Sequence, residues 1–242
     1  MKGILLFFIQ AYSLPAVISI IIGYLLGSIS FSILITRLFI HQDIRSFGSG
    51  NAGATNVLRA VGKLAALLTF VGDFAKQVAS ILIAQQIFRI FAEKNELVAV
   101  DAAMRYAVYL AGVSCFFGHI FPIYFGFRGG KGVITAAAMM ALIDWRVFLI
   151  ELGIFILLMI YKRIVSLGSI VCGICYPFVT FLITYFVDYQ NYLTGKNDGC
   201  TLTYVIVATC ITALVGWFMV FRHRSNIVRL LNGTEKPIWT KK

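Results

Sequence analysis

The chain has 242 residues, of which 60% are hydrophobic and only 13% charged, with 21 Lys and Arg against 10 Asp and Glu. A mean hydropathy of +0.89 is more apolar surface than a water-soluble domain of this length needs, so composition excludes a soluble protein and implies a polytopic membrane protein. The net charge of +11 does not indicate nucleic acid, because the basic residues are spread through short loops and a tail, with no soluble domain to carry a groove. Anionic lipid head groups and anionic substrates are the partners that fit.

In chain order, each apolar run is tested against the roughly 20 residues needed to cross ~30 Å of hydrocarbon. Lys2 and the run after it resemble a signal peptide, but the run continues through Ile21, Ile22 and Leu26 without a small-residue cleavage site. It is read as a retained first span within Leu14–Phe39. The stretch Arg45–Arg59 follows, small, polar and cationic almost throughout. Its glycines Gly48, Gly50 and Gly53 free the backbone for turns, and Ser49, Asn51, Thr55 and Asn56 add side-chain donors. Backbone N–H groups in such a loop converge into an anion-binding concavity, which a phosphate suits.

The second span is expected from about Leu64 to Phe91, then a mixed connection with Glu93, Lys94, Glu96 and Asp101, then a third span over Tyr106–Phe125. A second polar glycine loop, Phe127-Arg-Gly-Gly-Lys-Gly132, leads into Val133–Ile143 and Phe148–Tyr161, joined by a turn at Asp144-Trp-Arg146. The last two spans are Leu167–Val187 and Leu202–Phe221, separated by a polar loop and followed by a basic tail. The expectation is a single all-α integral-membrane domain over 1–242, with seven transmembrane helices.

Orientation follows from the Lys/Arg bias of short loops. The stretches 37–63, 126–131, 161–163 and 222–242 hold 14 of the 21 basic residues: Arg37, Arg45, Arg59, Lys63, Arg128, Lys131, Lys162, Arg163, Arg222, Arg224, Arg229, Lys236, Lys241 and Lys242. Glu93, Glu96, Asp101, Asp144, Asp188 and Asp198 fall on the other side. Both glycine loops and the C-terminus are therefore expected in the cytoplasm and the N-terminus outside, which an odd number of spans satisfies.

Gly129-Gly-Lys-Gly132 immediately precedes an apolar helix, so an anion there would meet free N-terminal N–H groups as well as Lys131. The stretch lacks the spacing of a P-loop, since Val133 follows Gly132 and no strand precedes it. Gly118-His-Ile-Phe-Pro122 places the His119 imidazole at the same membrane depth. Ser166-Leu-Gly-Ser169 opens the sixth span, where hydroxyls either cap the helix or bind an anion. In the tail, Arg222, Asn226 and Arg229 share a helical face, a pattern that also suits a segment holding anionic lipid. Asp73 and Lys76 are spaced to pair within the second span, and Glu151 stands in the fifth without a local partner. The five cysteines lie mostly in apolar runs, and Cys172-Gly-Ile-Cys175 has no second pair, so no disulfide framework, metal site or cofactor is expected.

Taken together, Gly27-Ser-Ile-Ser30, Gly48-Ser-Gly-Asn-Ala-Gly-Ala-Thr-Asn56 with Arg59, Gly118–Pro122 with Gly129–Gly132, Ser166–Ser169, and Arg222–Asn226 with Gly233-Thr-Glu235 resemble the bacterial acyl-phosphate:glycerol-3-phosphate acyltransferases. The motifs run in family order from about 24 to 236. The resemblance implies a seven-span enzyme of the bacterial cytoplasmic (inner) membrane with a cytoplasmic active site. It would move a fatty acyl group from acyl phosphate to the 1-hydroxyl of glycerol 3-phosphate, giving lysophosphatidic acid and inorganic phosphate. It further implies that Ser49, Arg59, Lys131 and Asn226 help hold phosphate groups and that Gly50, Asn51, Gly53, Thr55 and Asn56 shape the same loop. His119, Gly130, Gly132, Ser166 and Ser169 are expected close by, with His119, Lys131 and Asn226 in catalytic roles. Ser30 and Ser32 stand where the family usually has Pro and Gly, Gln77 replaces a common Gly, and Ser225 replaces a common Glu.

The reaction suits this inventory. Both substrates are phosphates, so two anion sites are needed, and an acyl phosphate is already activated, so no covalent Ser or Cys nucleophile is required. His119 is a candidate general base, with a substrate phosphate as the other proton acceptor. The H-x-x-x-x-D pattern of other acyltransferases using this acceptor is absent, since Ser46, Tyr124 and Val228 stand five residues after His41, His119 and His223. The rival class is a transporter of a small organophosphate gated by Asp73, Lys76 and Glu151. Against it stand the absence of a repeat between the halves and the clustering of polar loops on one face.

Overall fold

The computed structural model describes residues 2–94, 100–196 and 200–238, with side chains described from 12 onward except 95–103. Glu96, Asp198, Lys241 and Lys242, counted in the charge bias above, and the Asp101 side chain lie outside the described residues. Every regular element among the described residues is a helix. The chain divides into two compact units, 1–143 and 144–242.

In the first unit, helices α1 (Lys2–Gly27), α4 (Lys63–Lys94) and α5 (Val100–Ile120) pack on one another, with α2 (Phe31–Ile40) against α4 and α6 (Val133–Ile143) against α4 and α5. The short α3 (Ala54–Ala60) sits on α4. Small residues allow the closest approach. A Cβ on Gly27 would lie 2.1 Å from the Cys115 carbonyl oxygen, and one on Gly118 would lie 2.3 Å from that of Tyr24. Without an apolar driving force between helices in lipid, such contacts are what dispersion packing requires.

The first predicted span is not one helix. It breaks at Ser28–Ser30, where the Ser28 hydroxyl donates back to the Tyr24 carbonyl (2.8 Å) and Ser30 turns extended to start α2. The break takes the Ile29 carbonyl out of the helical ladder, and the ammonium of Lys76 donates to it at 2.7 Å. On α4, Asp73, Lys76, Gln77 and Ser80 are all buried. Their i, i+3, i+4, i+7 spacing places them on one face, and Gln77 and Ser80 donate to the Gly112 and Ala111 carbonyls of α5. This polar stripe faces protein, not lipid.

The second unit packs α8 (Val165–Ile183) against α7 (Trp145–Lys162) and α10 (Leu202–Arg222), and α11 (Arg224–Leu231) follows α10 after His223. Helix α8 runs on through a π-helical stretch, Thr184–Tyr189, to the one-turn α9 (Gln190–Leu193). Helices α8 and α10 meet at Gly173 and Gly216.

Among the described residues, five helical segments are long and apolar enough to cross a membrane: Tyr12–Ile40, Lys63–Lys94, Met104–Phe125, Val165–Leu193 and Leu202–Arg222. The fourth and fifth expected spans differ from these. Helix α6 has 11 residues, about 16 Å at 1.5 Å per residue and short of the hydrocarbon thickness. Helix α7 has 18 residues but carries Arg146, Glu151 and Lys162.

Candidate active site

The first glycine loop is folded around one buried side chain, Asn56. Its Nδ2 donates to the carbonyls of Ile44 (3.2 Å), Phe47 (2.9 Å) and Asn51 (3.1 Å), and its Oδ1 accepts from the Ser49 N–H (3.2 Å). Gly48 has φ +55°, and a Cβ there would sit 2.4 Å from Asn56 Oδ1. Glycine is therefore required twice over, for conformation and for space. Gly53 caps α3, whose first turn holds Thr55 and whose last turn carries the exposed Arg59. Ser49 and Gly50 are exposed, and Asn51, Gly53 and Thr55 are half-buried.

Arg45 is not an open anion ligand. Its backbone N–H and Nε both donate to Asp43 Oδ1 (3.0 Å each), and Nη2 donates to Asp43 Oδ2 (2.9 Å). Its remaining Nη1 reaches the carbonyls of Phe125 (2.7 Å) and Arg128 (3.2 Å), tying the first glycine loop to the second. Burial alone would raise the Asp43 carboxyl, but the Arg45 hydrogen bonds and charge outweigh it and hold it below the usual carboxylate range.

The second loop folds back on the end of α5. Gly129 and Gly130 donate their N–H groups to the Ile120 and His119 carbonyls (3.1 Å each). Both glycines are buried, and a Cβ on Gly130 would lie 2.1 Å from His119 Nε2 and 2.6 Å from the Ala52 carbonyl oxygen. Gly130 is thus the point where the first loop, the second loop and His119 meet. Lys131 is half-buried between it and Gly132, whose φ of +81° turns the chain into α6 against the Phe116 ring.

Behind this junction, His119 Nδ1 lies 3.0 Å from Lys76 Nζ and 3.6 Å from Asp73 Oδ1, while Lys76 and Asp73 form an ion pair at 2.8 Å. All three are buried, and neither Asp73 oxygen has an aligned hydrogen-bond partner among the described residues. The carboxylate is held by charge. The i, i+3 spacing revealed the Asp73–Lys76 pair, but nothing in the sequence revealed that His119, 43 positions away, completes it.

In the second unit, the tail returns to the start of α8 through an Ile238 N–H bond to the Arg163 carbonyl (2.9 Å). This brings in Glu235, whose Oε1 accepts from Ser166 Oγ (2.7 Å) and Asn226 Nδ2 (2.6 Å) and whose Oε2 accepts from Arg229 Nε (2.6 Å). Burial would raise Glu235, and the Ser166, Arg229 and Asn226 hydrogen bonds together lower it below its ordinary value. Ser166 and Asn226 thus share one carboxylate, whereas the Ser169 hydroxyl turns back to the Val165 carbonyl (2.9 Å). Asp43 is an organising residue that reading the sequence for cations and donors passes over, and Glu235 enters that reading only as part of a family motif. Their signals are Asp-x-Arg spacing for Asp43 and a turn at Gly233 (φ +67°) for Glu235.

Comparison with known proteins gives the family. The family model described as glycerol-3-phosphate acyltransferase matches residues 17–233. The glycerol-3-phosphate acyltransferase of Clostridioides difficile (strain 630) is 40% identical over 226 residues, covering 93% of this chain and 97% of its own. That of Thiobacillus denitrificans is 34% identical over 219 residues, covering 90% and 95%. The crystal structure of PlsY (YgiH), an integral membrane glycerol 3-phosphate acyltransferase, in its glycerol 3-phosphate form matches with a TM-score of 0.69 at 34% identity, covering 92% of this chain and 94% of that one. Its lysophosphatidic acid form matches with a TM-score of 0.66 at 32% identity, with the same coverage. Matched over nearly its whole length in sequence and in fold, the chain belongs to the glycerol-3-phosphate acyltransferase family and is a multi-pass membrane acyltransferase.

Proposed function

We propose that the protein transfers a fatty acyl group from acyl phosphate to the 1-hydroxyl of glycerol 3-phosphate, releasing lysophosphatidic acid and inorganic phosphate. The hydroxyl oxygen attacks the acyl carbonyl carbon, the bond from that carbon to the phosphate oxygen breaks, and the hydroxyl proton passes to a phosphate oxygen. The observation that carries this reading is the junction at Gly130, where two glycine loops and Lys131 are held by a rigid frame of Asn56, Arg45 and His119. A donor that is already activated needs positioning and charge at the leaving phosphate, which is what such a frame supplies. The solved relative's glycerol 3-phosphate and lysophosphatidic acid forms support the acceptor and the product.

In the first unit, Ser49, Arg59 and Lys131 are proposed to hold phosphate, on a loop shaped by Gly50, Asn51, Gly53, Thr55, Asn56, Gly130 and Gly132. In the second, Ser166, Ser169 and Asn226 are proposed for the same task. The chain is proposed to cross the bacterial inner membrane seven times, with the N-terminus outside and the site and C-terminus in the cytoplasm.

Phosphate release by detergent-purified protein, given palmitoyl phosphate with and without glycerol 3-phosphate, tests this. Acceptor-dependent release with lysophosphatidate formation is expected. It should fall about 100-fold or more in Lys131→Ala, the scale of losing one charge-stabilising group. A folded sample that binds glycerol 3-phosphate without turnover would point to an organophosphate transporter.

A further inference from the structure

The ammonium of Lys76 carries only donors. It sits closer to Asp73 Oδ1 (2.8 Å) than His119 Nδ1 does (3.6 Å), so Lys76 takes the charge of the pair. A nitrogen 3.0 Å from that ammonium must accept, and an accepting Nδ1 leaves the imidazole proton on Nε2. That second nitrogen crowds the point where a Gly130 Cβ would stand, opposite the Ala52 carbonyl oxygen.

We propose that Asp73 and Lys76 fix His119 as a neutral imidazole protonated on Nε2, and that His119 so held is a positioning residue setting the two glycine loops against each other. The frame is built from two helices and one helix break. The α1–α2 break supplies the Ile29 carbonyl, α4 supplies the ion pair, and α5 supplies the ring. The kinetic part of the test rests on the proposed acyl transfer; the spectroscopic part does not.

The molecule has three histidines, and two of them make a contrasting pair. His223 Nδ1 lies 2.7 Å from the Met219 carbonyl, an acceptor only, so there Nδ1 holds the proton. In ¹⁵N-histidine-labelled full-length protein at pH 7.5, His119, assigned by its loss in His119→Gln, should show an unprotonated Nδ1 and a protonated Nε2, the reverse of His223. Lys76→Met should flip it, since Asp73 is then the partner left to Nδ1. A protonated Nδ1 on His119 in the unmodified protein overturns the proposal.

Kinetically, the glutamine amide replaces Nε2–H. His119→Ala should therefore raise KM for glycerol 3-phosphate about tenfold with less effect on kcat, and His119→Gln should recover most of that loss. A fall in kcat at constant KM in both variants would assign proton transfer to His119 and refute the positioning role. Absence of acceptor-dependent turnover in the unmodified protein would count against the acyl-transfer reading, with the ¹⁵N spectrum still deciding the tautomer.

Discussion

Two aspartates and two arginines show how much one residue pair decides. Asp43-Ile-Arg45 and Asp144-Trp-Arg146 adopt the same arrangement, in which the carboxylate accepts from the backbone N–H and the Nε of the arginine two residues on. Each leaves part of a guanidinium to bridge outward. Arg45 takes loop carbonyls, and Arg146 takes Asp188 at 2.7 and 2.8 Å. Reading the sequence shows Arg45 only as a fixed charge at the edge of the glycine loop, because its charge is visible and its partner's geometry is not. Asn56 is different, since its place in a dense glycine motif marks it, although its bonds go to the loop backbone. Glu235 allows a pH prediction. Its folded pKa is lowered, so its contribution is complete above the unfolded value of about 4.3 and is lost as pH falls through the lower folded one. Glu235→Gln should cost about 1–2 kcal/mol at pH 7.5, the scale of hydrogen bonds to a charged group discounted for a half-exposed Arg229. Thermal melts of both proteins should converge in acid below that window; a gap that persists there would show that the loss is not electrostatic.

Helices are legible where composition alone sets them and illegible where packing does. The long apolar runs correspond to α4, α5, α8 and α10, and the polar Arg45–Arg59 stretch to a loop and a short helix. The break at Ser28–Ser30 lies inside an unbroken apolar run, and its cause is tertiary: the close crossing of Gly27 on Cys115 and the capture of the Ile29 carbonyl by Lys76. A crossing of the same kind holds α8 to α10, where a Cβ on Gly216 would stand 2.1 Å from the Gly173 carbonyl oxygen. Backbone cannot give way there. A Gly→Ala change within a helix ordinarily gains up to about 1 kcal/mol, so the sign of the effect is diagnostic. Gly216→Ala should lower the melting temperature in detergent, whereas Gly153→Ala in α7, with nothing within 4 Å of its Cβ position, should leave it unchanged or raise it. Equal behaviour of the two would mean that the α8–α10 crossing is looser than its geometry requires.

Charge segregation along the whole chain is the signal read most directly from sequence, and the structure explains three of its exceptions. Asp43 and Glu235 sit among the basic loops, against the trend, and each is neutralised on the spot, by Arg45 and by Arg229. Arg146 stands on the acidic side and is taken up by Asp144 and Asp188. These three charges are therefore internally compensated, and a Lys/Arg bias is what orients short loops in a bilayer. The proposed orientation rests on it, with 37–63, 126–131 and the tail in the cytoplasm. Spans and loop sides are read from local composition, but the joining of His119 to the Asp73–Lys76 pair and of Ser166 to Glu235 comes from contacts distant in sequence, which no periodicity encodes. The orientation has its own test. A fluorescent protein fused after residue 242 should fold and fluoresce in bacteria, and alkaline phosphatase fused there should be inactive. Phosphatase inserted in the polar loop after Asp188 should be active, because that loop would face the oxidising side where its disulfides form. Reversal of the two phosphatase results would invert the orientation and move both glycine loops away from any cytoplasmic substrate.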